Sequence, residues 1–242
     1  MRNSHANLLE THLPLISPMT HWAKEGSDVE LRTGYWDTYY SNDQLIRKQP
    51  PSQFAAFVAS ECGDFPLVVD VGCGNGRDTL FFAQLGHSTL GIDKSSAAID
   101  QSTRKILGYD EQIEAHSFLC MNAMSLPDAK DLIDRIAKIK KVIYSRFFLH
   151  AITEEEQTAF LDFATASMQT GDMLALEFRT LQDQNREKVT GAHYRRYIDA
   201  DQLSHQITHE HGFALSYFAE GIGFAKFRSD DAFVARALFL KD

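Results

Sequence analysis

Asp70 is followed at alternate positions by three glycines, Gly72, Gly74 and Gly76, and then by Arg77 and Asp78. Alternating glycines let a backbone approach a ligand closely, because no Cβ intervenes and positive φ is open to them. Ahead of them Leu67 to Val71 is a short apolar run that reads as a strand buried on both faces. Behind them Leu80, Phe81 and Leu85 fall on one face of a helix. Strand, Gly-rich turn and helix together hold a nucleotide-like ligand over a helix N-terminus. Two nucleotide motifs are ruled out by particular residues: a dinucleotide turn needs Gly or Ala where Arg77 stands, and a P-loop needs Gly-Lys-Ser/Thr, which is absent. About twenty residues past the glycines a second apolar run, His87 to Ile92, ends in Asp93, where an acid can accept both ribose hydroxyls of a nucleoside.

A second group of chemically capable residues clusters at the end of the run Lys140 to Phe148, in Tyr144-Ser145-Arg146-Phe147-Phe148-Leu149-His150. Ligands of open α/β sheets sit at the carboxyl ends of the strands, so Ser145, Arg146 and His150 are candidates for the acceptor side of a reaction. Arg179 ends a later strand. The stretch Gly191 to Tyr197, holding His193, Tyr194, Arg195 and Arg196, is the one locally basic and aromatic segment of an acidic chain. His205, His209 and His211 lack a nearby acid or Cys to complete a metal site, and no metal is expected.

The turn Asp70-x-Gly72-x-Gly74-x-Gly76 with Asp93 beyond it resembles that of class I S-adenosylmethionine-dependent methyltransferases. The likeness runs over roughly residues 35 to 240. The segments Tyr35-Trp36-Asp37, Gly74-Asn75-Gly76-Arg77-Asp78 and Ser145 to His150 are further similar to a bacterial subgroup associated with surface polysaccharides and small metabolites. The resemblance implies S-adenosylmethionine as cofactor, with Asp70, Gly72, Cys73, Gly74, Arg77, Asp78, Asp93, Lys94, Ser95 and Ser145 around it. It also places Asn122 and Ala123 beside the adenine, Asn122 accepting through its carbonyl where an acid is commoner. Tyr35, Trp36 and Tyr40 become part of a lid over the methionine end, where an aromatic face near a sulfonium gains a cation–π contribution of about 0.5–2 kcal/mol. His150 or His193, with Arg146, would do the catalysis. Arg146, Arg179, Tyr194, Arg195 and Arg196 would bind the substrate, expected to be a small-molecule or glycan-linked acceptor methylated on oxygen. An anionic phosphate or carboxylate acceptor would need no general base. An RNA or protein methyltransferase, or a cofactor-binding module without catalysis, are the alternatives.

To position these residues the chain must supply helix–β1–α–β2–α–β3–α–β4–α–β5–α–β6–β7. This is the seven-stranded Rossmann-like methyltransferase sheet, of order 3-2-1-4-5-7-6 with an antiparallel last strand and helices on both faces. Residues 1–62 are expected as a polar lead-in, aromatic lid and one helix capped by Ser52, and 63–242 as the cofactor-binding domain. The last two strands are expected over Phe213 to Ala219 and Phe233 to Leu240, joined by a hairpin through Glu220 to Ala225.

At 242 residues the chain fits one large α/β unit. Its 44% hydrophobic and 24% charged content is that of an ordinary globular protein. A net charge of −9 argues against nucleic acid or an anionic membrane as partner. No apolar run of about eighteen residues is present to span a bilayer, and without a basic-then-apolar opening stretch no signal segment is expected. Three cysteines, Cys62, Cys73 and Cys120, form no CxxC pair and suit a reducing cytoplasm. A monomer or homodimer is expected.

Overall fold

The computed structural model describes residues 27–41, 49–106, 116–122, 125–186, 188, 193–227 and 229–242. Eight-residue Arg77–Gln84 (α3) follows β1 (Leu67–Val71) directly, after helices α1 (Ser27–Tyr40) and α2 (Gln53–Glu61). Then come β2 (Ser88–Asp93), α4 (Ser96–Ile106), β3 (His116–Cys120), α5 (Leu126–Ile136) and β4 (Lys141–Arg146). The chain closes with α6 (Glu154–Ser167), β5 (Met173–Arg179), α7 (Ala200–Glu210), β6 (Phe213–Phe227) and β7 (Asp230–Lys241). Local chemistry sets several of these starts. Ser52 caps α2 by accepting from the Ala55 N–H at 2.9 Å, Thr153 and Glu156 form a reciprocal capping box on α6, and Asp199 caps α7.

The strands form one sheet of order β3-β2-β1-β4-β5-β7-β6. Strands β1 to β5 are parallel, and β7 runs antiparallel between β5 and β6. Alternate residues of the central strands feed two cores, as the two-residue period requires. Val69, Ile143 and Leu176 pack beneath α5, α6 and α7 with Phe160 and Phe163. Val68, Val142, Tyr144 and Ala175 pack on the other face against Phe54 and Val58 of α2 and Phe82 of α3. This arrangement brings the carboxyl ends of β1, β2, β4 and β5 to one edge.

Two boundaries differ from expectation. Strand β4 stops at Arg146 instead of Phe148, because Phe147 adopts a left-handed φ of 57°. The hairpin does not turn at Glu220 to Ala225. Those residues belong to β6, which runs on to Phe227, and Gly223 (φ 83°) is taken up in a register irregularity between Gly221 and Ala225. Its N–H donates to Asp231 Oδ1 at 2.7 Å, so the glycine marks a bulge where a turn was expected.

Candidate active site

The Gly turn is built by conformation before it is built for a ligand. Gly72, Gly74 and Gly76 have φ of 76°, 53° and 69°, and Gly76 is the N-cap of α3. A Cβ on Gly72 would stand 2.6 Å from Phe148, one on Gly76 2.7 Å from Phe118, and one on Gly74 would collide with the Tyr40 hydroxyl. Asp93 at the end of β2 locks the turn. Its Oδ2 accepts the Gly74 N–H and its Oδ1 the Ser95 N–H, both at 2.9 Å. Burial raises its pKa while those two amides pull it back. Each oxygen keeps acceptor capacity toward the cleft, so the carboxylate fits the pair of hydroxyls of a ribose.

Two further acids sit behind the turn with opposite electrostatics. Asp70, from β1, is buried and accepts from Thr79 Oγ1 at 2.6 Å, and burial pushes its pKa up to about 7. Asp78, in the first turn of α3, is buried as well, yet the Arg77 guanidinium beside it outweighs that penalty and holds it at about 2. Arg77 reaches it with Nε and Nη2 at 2.9 and 3.1 Å, Tyr144 Oη donates at 2.9 Å and the Ser52 N–H at 2.9 Å. Asp78 therefore fastens β4 and the start of α2 to the turn. Cys73 lies within it with its thiol pushed well up by burial and by Asp93 and Asp70, a neutral neighbour and no nucleophile.

Helix α1 lies across this edge. Ser95 Oγ donates to Asp37 Oδ1 at 2.5 Å, and Gln101 Nε2 donates to the Tyr40 carbonyl. Trp36 stacks near Tyr40 at 6.0 Å between centroids, and Tyr35 stacks on His193 at 4.6 Å. One helix thus touches the glycine turn with its last residue and the distant His193 loop with its middle.

A cleft of about 720 Å³ runs from Asp93, Lys94 and Asn122 past the turn to Arg146, His150, Arg179, His193 and Arg195. Tyr35, Trp36, Tyr40, Asp70, Gly72, Cys73, Arg77 and Asp78 also line it. Other expected residues lie elsewhere. Gly74 is covered by Tyr40, while Ser95 is buried behind Asp93. Ser145 is buried too, donating to the Val71 carbonyl at 3.0 Å. Tyr194 is largely exposed outside the cleft. Arg196 points away from it, donating to the Leu149 and Ile152 carbonyls and to Gln157 Oε1 at 2.6 Å, so it ties its loop to α6. Ala123 lies outside the described residues.

Arg146 and Arg179, which reach the cleft, are paired with acids: Glu177, expected from the sequence as a competing partner at the surface, and Asp183 and Asp230, which were not expected. Arg146 Nε and Arg236 Nε each donate to the buried Glu177, on its two oxygens, at 2.7 Å. Arg179 is held between Asp183 at 2.6 Å and Asp230 at 2.8 Å. His150 is buried, and its Nδ1 accepts the Arg179 N–H at 3.3 Å, which puts the ring proton on Nε2. Burial, followed by the Arg179 and Arg195 charges, drives its pKa well below the ordinary histidine value. This arrangement leaves Nε2–H as the ring's remaining hydrogen-bond donor. The hairpin completes this end: Phe224, Ala225, Lys226, Phe227 and Asp230 line it, together with Gln49 to Gln53. Asp37 was legible beside Trp36; the hairpin residues carried no local signal. Among the described residues no group of three or more His, Cys, Asp or Glu could hold a metal ion, and no helix is long and apolar enough to cross a membrane.

Residues 68–171 match the family described as Methyltransferase domain. The protein YqeM of Bacillus subtilis (strain 168), provisionally named a methyltransferase, is 22% identical over 117 residues, 42% of this chain and 47% of that one. The chain thus spans about half the length of this curated relative. Among solved structures, an S-adenosylmethionine-dependent methyltransferase from Anabaena variabilis ATCC 29413 superposes with a TM-score of 0.63 at 17% identity, covering 93% of this chain and 100% of the other. Magnesium protoporphyrin IX methyltransferase (ChlM) from Synechocystis PCC 6803, with bound S-adenosylhomocysteine, superposes with a TM-score of 0.58 at 17% identity, over 91% and 90%.

Proposed function

We propose that the chain is a class I S-adenosylmethionine-dependent methyltransferase and that it methylates an oxygen of a small acceptor that arrives already anionic. The residues fit the cofactor: Asp93 for the ribose, Asn122 beside the adenine, and the turn with Arg77 and the α1 aromatics toward the methionine end. When bound, S-adenosylmethionine supplies a methyl group on a sulfonium sulfur, so the new oxygen–carbon bond forms as the carbon–sulfur bond breaks and the sulfur keeps the electron pair. What remains for the protein is placement, which supplies about 7–11 kcal/mol of barrier lowering when the reacting atoms are held in line.

The observation that carries the oxygen-anion reading is the state of His150. A neutral acceptor hydroxyl needs a base to take its proton, and this ring already has its proton on Nε2. A carboxylate, phosphate or phenolate needs none, and a neutral Nε2–H donor orients it without quenching its charge. His193 is engaged in the same sense, its Nε2 lying 3.1 Å from Arg195 Nη2. The net charge of −9 and the aromatic-walled cleft support a small acceptor over RNA. Incubating the protein with methyl-labelled cofactor and fractionated cell extract tests this reading. Label is expected in the small-molecule or glycan fraction; label in RNA or polypeptide, or in none, contradicts it.

A further inference from the structure

Resting on that reading of the site, we propose that the acceptor is a flat, aromatic or conjugated molecule bearing a single acidic group, and not a sugar phosphate. The far end of the cleft is walled by Phe147 and Phe148 just beyond β4, Phe224 and Phe227 from the hairpin, and Tyr35 and Trp36 from α1. Phe147 is held in its left-handed conformation with the Arg146 guanidinium 4.2 Å and the Arg179 guanidinium 5.4 Å from its ring centre. A non-glycine residue at φ 57° persists only where its surroundings over-determine it, and such strain concentrates at functional sites.

Several polar groups among these walls are committed to the protein, Arg146 and Arg179 among them. Ser52 accepts from Ala55 and meets Tyr144, and His150 uses Nδ1 on a backbone amide. A polyhydroxylated acceptor buried here would leave hydroxyls without partners, and each such group costs free energy. An aromatic acceptor gains by burying its faces against rings.

Charge narrows the choice further. Arg179 is balanced by Asp183 and Asp230, both buried. A phosphate that recruited it would strand those carboxylates, the most costly way to break a buried pair. Glu177 lies between two guanidinium groups, Arg146 and Arg236, and Lys188 also reaches Asp183 at 3.0 Å, so with Arg179 four cations face the three carboxylates Glu177, Asp183 and Asp230 and leave a surplus positive charge. Lys226 adds another at the rim, with no ion pair to it among the described residues. Such a field favours one negative charge on a mostly apolar ligand over a dianion on a polar one.

Calorimetric titration of the S-adenosylhomocysteine-loaded protein with 4-hydroxybenzoate, 4-hydroxybenzamide and glucose 6-phosphate tests the inference. The benzoate is expected to bind at least tenfold more tightly than the amide, and the sugar phosphate more weakly than both. Lys226→Ala should bring the benzoate down toward the amide, and Phe224→Ala should weaken both aromatic probes, with S-adenosylhomocysteine affinity unchanged in either variant. Glucose 6-phosphate binding as well as the benzoate, or neither aromatic probe binding the loaded protein, overturns the inference and leaves the cofactor reading standing. Failure of S-adenosylhomocysteine itself to bind defeats both.

Discussion

Asp70 and His150 show how burial, more than identity, decides what a titratable group does. Asp70 folds with a pKa of about 7 against an ordinary 3.8, so between those values the folded chain keeps a proton that the unfolded chain releases. Stability therefore falls as pH rises through that window and levels off above it. Asp70→Asn, which cannot ionise and still accepts from Thr79, should show no advantage in Tm near pH 4 and its largest advantage near pH 8, at about 2–4 °C per kcal/mol for a chain of this size. An equal Tm difference at both pH values would contradict the assigned ionisation. For His150 the depressed pKa keeps the ring neutral above pH 6.5, so its titration should impose no rise in methyl incorporation from there to pH 8. His150→Gln keeps an N–H donor and an acceptor for the Arg179 amide and should retain most activity, whereas His150→Ala should lose about tenfold or more, the worth of a positioned hydrogen bond. A rate that climbs with a histidine-like pKa and vanishes in the Gln variant would restore the base role.

At the scale of elements, the β1–turn–α3 unit was legible because its constraints are local. Three alternating positive-φ glycines after a short buried strand admit few arrangements, and Asp93 follows at the spacing the next strand fixes. The partners of the cleft arginines were less legible. Arg146, Arg179 and Arg236 are paired with Glu177, Asp183 and Asp230, which meet them only once β4, β5 and β7 lie side by side. The hairpin was misplaced because Gly221 and Gly223 suit a bulge as well as a turn, and cross-strand pairing with β7 decides between them. Helix α1 was visible as an aromatic cluster, but its attachment to Ser95, Gln101 and His193 spans distant parts of the chain. It rests against the glycine turn, so a ligand on the turn should hold it down. Proteolysis within α1 should slow when S-adenosylhomocysteine is added, and Asp37→Ala, lacking the Ser95 bond, should lose much of that protection. Equal cleavage with and without the ligand would mean the helix is ordinary packing.

Over the whole molecule, a chain of net charge −9 concentrates Arg146, Arg179, Arg195, Arg236 and Lys226 around one end of one cleft, while the other end is set by Asp93 and Lys94. The sheet order explains that polarity, since β1 and β2 border the Asp93 end and β4, β5 and the β6–β7 extension border the Arg146 and Arg179 end. Fold and cofactor class follow from the first half; the acceptor's character depends on the second, where strand neighbours far apart in sequence come together. The central claim is that Asp93 and the glycine turn bind the nucleoside of S-adenosylmethionine. Calorimetry of S-adenosylhomocysteine binding to the wild-type protein and to Asp93→Ala tests it most directly. One-to-one binding is expected in the wild type, weakened in the variant by about 1.5–3 kcal/mol, the scale of hydrogen bonds to a charged group, or about 10- to 150-fold in Kd. Absence of binding in the wild type, or the same affinity in Asp93→Ala, would contradict it.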